Sequence, residues 1–133
     1  MSQTVLICDD TMFMRMVIRR ILETNGYSVV GEAESGPDAV SKFAALKPDV
    51  VTMDVVMPDH SGIEALRRIR ALNPHACVIM CSALGQDQLL HEAQSAGAAG
   101  FVIKPFQAHD LVAALERATG GSRPERAAAA GAS

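Results

Sequence analysis

Residues 4–22 read TVLICDDTMFMRMVIRRIL. Val5 to Cys8 form a short apolar run without alternation, the pattern of a strand covered on both faces. Asp9 and Asp10 end it. Met14, Val17, Ile18 and Ile21 then recur at i, i+3, i+4 and i+7, with Arg15, Arg19 and Arg20 on other faces. That spacing predicts an amphipathic helix. A buried strand thus runs through two adjacent anions into a helix. Such anions repel each other and resist desolvation, so something must stabilise them.

The same alternation continues along the chain. Apolar runs recur at Ser28–Gly31, Val50–Met53, Val78–Cys81 and Phe101–Ile103. Helical stripes lie between and after them. Gly26 is placed to end the first helix, and Pro37 suits the first turn of the second, with Val40, Phe43 and Ala44 as its stripe. Ile63, Leu66 and Ile69 mark a third helix, ended by Asn73-Pro74. Leu89, Leu90, Ala93 and Ala96 mark a fourth, stopped by Gly97, and Leu111, Val112, Leu115 and Ala118 a fifth. The pattern is (βα)5. It predicts an α/β fold, a doubly wound parallel five-stranded sheet with helices on both faces. One domain is expected over residues 1–119. Residues 120–133, GGSRPERAAAAGAS, lack large apolar side chains and are expected to be a disordered tail.

A net charge of −3 argues against non-specific nucleic-acid binding. No basic N-terminal region precedes a long apolar segment, and no uncharged run reaches membrane-spanning length. A soluble cytoplasmic protein is the expectation. Cys8, Cys77 and Cys81 are odd in number and sit in apolar surroundings, so they are read as reduced, buried thiols. His60, His75, His91 and His109 show no ligand spacing and are read as surface residues.

In an open parallel α/β sheet, ligands bind beyond the carboxyl ends of the strands. Strand one ends in Asp9-Asp10, strand three in Asp54, strand four in Ser82 and strand five in Lys104; strand two ends near Glu32, at an expected edge. Taken singly, each is ordinary: Asp10 or Thr11 could cap the first helix, and Lys104 could be a solvated strand end. Taken together, the topology brings them to one rim. At a separation of about 4–5 Å and an effective dielectric near 20, each like-charge pair costs about 3–4 kcal/mol. One lysine is not expected to offset three such pairs, whereas a divalent cation is. Oxygen-only ligands favour Mg²⁺, with Mn²⁺ as the alternative. Such an ion keeps open positions for phosphate oxygens, which makes Asp54 a candidate nucleophile toward phosphorus. Lys104 would neutralise charge, and the Ser82 hydroxyl would donate to a phosphoryl oxygen.

With these residues in view, the chain resembles response-regulator receiver domains from about Thr4 to Arg117. The resemblance rests on Asp9-Asp10, Asp54, Ser82-Ala83 and Lys104-Pro105, each at a strand end, and on the loop MDVVMPDHSGIEAL. It implies a flavodoxin-like strand order of 2-1-3-4-5, the order chemotaxis receivers share with flavodoxin. It implies metal binding by Asp9 or Asp10, Asp54 and the backbone carbonyl of Val56. It also implies a phosphoryl contact from Lys104, a cis Lys104-Pro105 bond, and a switch in which Ser82 moves toward the phosphoryl group and Phe101 swings inward. TMFMRMVIRRIL, CSALGQ and EAQSAGAAGFVIKPF are similar to stand-alone chemotaxis members of the family. That similarity implies a CheA-like histidine kinase as donor and a phosphatase. It implies a FliM-like flagellar motor switch protein as target, docking on helix four, strand five and helix five.

One departure bears on rate. Val56 and Leu84, two residues after Asp54 and Ser82, are apolar where the family's side chains flank the path of attacking water. Neither can orient water, so slow self-dephosphorylation is expected. Other single-domain phosphorelay receivers share this chemistry. A phosphohydrolase would commonly carry a second acid two residues after the nucleophile, where Val56 stands. A flavin carrier would need a hydroxyl- and glycine-rich loop after strand one, where DDTMFM would repel phosphate.

Overall fold

The computed structural model describes residues 3–57 and 62–120. In chain order the elements are β1 (Thr4–Cys8), α1 (Met12–Thr24), β2 (Ser28–Ala33), α2 (Gly36–Leu46), β3 (Val50–Asp54), α3 (Gly62–Leu72), β4 (Cys77–Ala83), α4 (Asp87–Ser95), β5 (Gly100–Lys104) and α5 (Ala108–Ala118). All strand pairs are parallel, in the order β2-β1-β3-β4-β5, which is the predicted fold. Each strand extends a residue or more beyond its apolar run, because the ladder continues to the polar residues at its ends. The expected tail after Gly120 and His60 lie outside the described residues.

The punctuation works as its chemistry requires. Thr11 caps α1, its hydroxyl accepting from the Met14 amide at 3.3 Å, so Thr11 rather than Asp10 is the cap. Ser35 caps α2 ahead of Pro37. Gly26 follows α1 with a φ of 87°, a conformation that costs a residue without Cβ nothing.

The sheet divides the core in two. On one side Leu6, Val51, Met53, Val78 and Met80 pack with Phe43 of α2, Leu66 and Ile69 of α3 and Ala93 of α4. On the other, Ile7, Ile79, Cys81 and Val102 pack with Ile18 and Leu22 of α1 and Leu111 and Leu115 of α5. Both faces are covered, which explains strands without alternation. α4 departs from its predicted stripe: only Ala93 is buried on it and Leu89 is exposed. It meets the core through small side chains, with Ala96 and Ala98 packed beside Ala93.

The three cysteines are thiols, not joined in disulfides among the described residues. Cys8 and Cys81 are buried as expected, but Cys77, first residue of β4, is only partly so. Burial pushes the Cys81 thiol up to about 12 and the Cys77 thiol up to about 11. His75, His91 and His109 are exposed.

Candidate functional site

Side chains alternate along a strand, so residues two apart share a face. Ile7, Thr52, Cys81 and Val102 occupy one face through the register Ile7↔Thr52 and Asp54↔Cys81↔Val102. Asp9, Asp54 and Lys104 each follow by two residues on β1, β3 and β5. The strand order reverses between β1 and β3, so two acids flank the switch point where such sheets bind ligands.

Lys104 comes from farther away. β5 is two strands from β3, or about 10 Å. The lysine must lean across β4, where the same-face neighbour is the small Cys81. Its Nζ donates to Asp9 Oδ2 at 3.1 Å and to Asp54 Oδ2 at 3.2 Å. The remaining oxygens of these acids are also engaged. Asp9 Oδ1 accepts from the Thr11 amide at 2.9 Å and the Thr11 hydroxyl at 3.1 Å, and Asp54 Oδ1 accepts from the Val56 amide at 3.2 Å.

Asp9 and Asp54 are 1% and 8% exposed. Burial raises the Asp54 carboxyl above its ordinary value; Lys104 pulls it down and Asp9 pushes it up, and the net direction is upward. Burial lowers the Lys104 ammonium, but Asp54 and Asp9 outweigh it and leave Lys104 raised.

Asp10 differs from its neighbours. Among the described residues its carboxylate has no hydrogen-bond or ion-pair partner. One ligand oxygen each of Asp9, Asp10 and Asp54 lie within 4.8 Å of one another. Two trans oxygens on a hexacoordinate Mg²⁺ stand about 4.1 Å apart, so the three carboxylates fit a hard cation after small side-chain adjustments.

The charge balance also refines the opening expectation. At an effective dielectric near 20, each Lys104 contact is worth about 5 kcal/mol, against at least about 3.5 kcal/mol for two acids whose ligand oxygens lie within 4.8 Å. The lysine offsets the repulsion between the acids it touches. What stays uncompensated is Asp10 and the desolvation of Asp54.

Arg15 lies off the predicted apolar stripe of α1, yet it is only 7% exposed. Its Nη1 donates to the Asp9 carbonyl at 2.6 Å and its Nε to Glu32 Oε1 at 3.0 Å. Arg19 takes the other Glu32 oxygen at 2.8 Å. Burial raises the Glu32 carboxyl, but Arg19 and Arg15 outweigh it and hold it low. Arg15 thus positions the backbone that carries Asp9. The available signal was its place: the first cation after the acidic pair, one turn into the helix.

Gly62 opens α3 where a Cβ would lie 2.4 Å from the Asp54 carbonyl oxygen and 2.6 Å from that of Val55. Only glycine lets the helix approach the end of β3 this closely. Val56 and Leu84 are exposed, 39% and 81%. The Lys104-Pro105 bond is cis, as the resemblance implied. The structure therefore gathers Asp9, Asp10, Asp54 and Lys104. It does not gather the Ser82 hydroxyl, which is buried and bonds to Gln86 Oε1 and the Ala83 carbonyl, both at 3.2 Å. Nor does it bury Phe101, which stands exposed on the edge strand.

Residues 5–116 match the family model described as the response regulator receiver domain. The chain belongs to the response-regulator receiver family. It is 48% identical to the chemotaxis protein CheY of Thermotoga maritima over 117 residues, covering 88% of this chain and 98% of that protein. It is 47% identical to the Bacillus subtilis chemotaxis protein CheY with the same coverage. Its structure is similar to the Borrelia burgdorferi CheX-CheY-BeF3-Mg+2 complex, with a TM-score of 0.81 at 33% identity, covering 86% of this chain and 87% of that one. The receiver is thus CheY-like in sequence and fold. Among its described residues no helix is long and apolar enough to cross a membrane.

Proposed function

We propose that this receiver is a phosphoryl-accepting switch in chemotaxis signalling, charged on Asp54 by a CheA-like histidine kinase with Mg²⁺, or Mn²⁺, at the acidic rim. The observation that carries the reading is the unequal treatment of three clustered acids. Lys104 and backbone or hydroxyl donors satisfy Asp9 and Asp54, while Asp10 beside them has no partner among the described residues.

Asp9, Asp10 and Asp54 would hold the cation, together with the backbone carbonyl of Val56. When bound, the ion supplies positive charge to the transferring phosphoryl oxygens. An Asp54 carboxylate oxygen attacks phosphorus of a phosphohistidine. The new O–P bond forms as the P–N bond breaks, and its electron pair leaves with the imidazole. Lys104 already bridges Asp9 and Asp54 and faces the charge that develops. Burial, which raises Asp54, also keeps its carboxylate poorly hydrated and ready to bond.

Ser82 and Phe101 then report the charge. Ser82 turns to the phosphoryl group, and Phe101, now exposed on β5, moves inward. The altered face of α4, β5 and α5 is the target surface, with a FliM-like motor switch protein as partner. The similarity to chemotaxis proteins over nearly their whole length supports this target. A phosphatase would end the signal.

The test is labelling with a small acyl phosphate. Wild type should take up one phosphoryl group per chain only with Mg²⁺ or Mn²⁺, and Asp54→Asn none. Equal labelling of Asp54→Asn would overturn the site. A charged protein that a motor-switch peptide fails to retain would leave the receiver chemistry standing and remove the target.

A further inference from the structure

Gln86 is the residue before α4, and its side chain does not cap that helix. It turns back toward the end of β4. Gly85, at a φ of 88°, and a Gln86 amide to Ala83 carbonyl bond of 3.3 Å close the tight turn that makes this possible. There Gln86 Oε1 accepts from the Ala83 amide at 2.7 Å and lies 3.2 Å from the Ser82 hydroxyl. Two donors converge on one atom, so only the carbonyl end of the amide fits. Ala83 pairs in register with Lys104, which places its amide beside the lysine that contacts Asp54, and Ser82 precedes it opposite Ile103.

We propose that Gln86 is a positioning residue for the switch: its side-chain carbonyl occupies the Ser82 hydroxyl and the Ala83 amide, and a phosphoryl oxygen on Asp54 must take these donors from it. The inference rests on Asp54 as phosphoryl acceptor. It adds that the uncharged state is held by a competing acceptor within the chain. Displacing that acceptor frees the side chain that ties the start of α4 to β4. The charge on Asp54 is thereby linked to the position of α4.

Gln86→Met keeps side-chain length and helix propensity and removes the acceptor. Binding of beryllofluoride with Mg²⁺, a stable phosphoryl mimic, should tighten about three- to tenfold, the worth of an ordinary hydrogen bond no longer broken. A residue that merely braced the fold would give unchanged or weaker binding on removal, and that result overturns the proposal. A second measurement needs no variant. On the ¹⁵N-labelled wild type, beryllofluoride should move the Gln86 side-chain amide resonances together with the Ala83 amide. Stationary Gln86 resonances under saturating mimic would also overturn it. If the wild type binds no beryllofluoride at all, the acceptor reading of Asp54 fails first and this proposal falls with it.

Discussion

Asp54→Asn should make this protein more stable at neutral pH when no divalent cation is present. The substitution keeps the shape of the side chain and removes its charge. At an effective dielectric near 20, it abolishes a repulsion with Asp9 of at least about 3.5 kcal/mol, for oxygens within 4.8 Å, and an attraction to Lys104 of about 5 kcal/mol. Those terms favour the aspartate. Against them stands desolvation, the largest influence on Asp54, and the outcome is a carboxyl raised above its ordinary 3.8. A raised carboxyl means the fold prefers the neutral form. Its contribution is fully present below pH 3.8 and is lost as pH rises through the higher folded value. At pH 7 the ionised Asp54 is therefore a net cost to the fold. In a chain of this size each kcal/mol of that cost removed by the substitution raises Tm by about 3–6 °C.

Calorimetric unfolding with EDTA, at pH 7 and again near pH 4, measures it. The advantage of the variant should shrink toward the acid end. Glu32, held low by its arginines, has the opposite pH dependence but is common to both proteins and cancels. Mg²⁺ should then reverse the order: at about 100 times its Kd it adds about 2.7 kcal/mol to the wild type, and less to a variant missing one ligand. A variant that is less stable at pH 7 in EDTA, or whose advantage grows on acidification, would refute the reasoning.

Three further outcomes follow from individual contacts. Arg15→Met should cost about 2–3 kcal/mol in urea unfolding, because it strands the buried Asp9 carbonyl and releases one oxygen of the part-buried Glu32. The same variant should weaken Mg²⁺ uptake measured by calorimetry, since Asp9 loses its backbone anchor. Gly62→Ala sets a methyl against two carbonyl oxygens at the end of β3 and should cost about 2 kcal/mol or more, with Mg²⁺ affinity falling alongside. Val56→Asn with Leu84→Glu changes two exposed side chains, so stability should hold; the phosphoryl lifetime, followed by loss of radiolabel, should shorten about tenfold as water gains a partner.

The fold was legible because both faces of the sheet are covered. Strand segments such as Val78–Cys81 are then unbroken apolar runs, and helices such as α1 carry a plain stripe. α4 was the weakest reading, since Leu89 imitates a core position while the contact is made by alanines that carry little signal. The acids and Lys104 were legible because parallel topology sends every strand end to one rim. The role of Arg15 was not legible, because helical spacing places it off the apolar stripe and does not say that the first turn of α1 faces the ends of β1 and β2. The resting position of Ser82 was not legible, because it depends on a rotamer and on the turn that brings Gln86 back.

The two arginines and the lysine divide the anionic rim in a way that separates folding from function. Arg15 and Arg19 hold Glu32, and Arg15 holds the Asp9 backbone as well. Lys104 holds the buried acids against each other. These cations are covalently part of the chain and stay with the rim whether or not an ion is bound. Asp10, less buried and unmatched among the described residues, is the share of negative charge left for something that comes and goes. A fourth resident cation at Asp10 would stabilise the fold further and remove the site's affinity for a reversible ion. The marginal electrostatics of this rim are thus what allow its occupancy to respond to solution conditions.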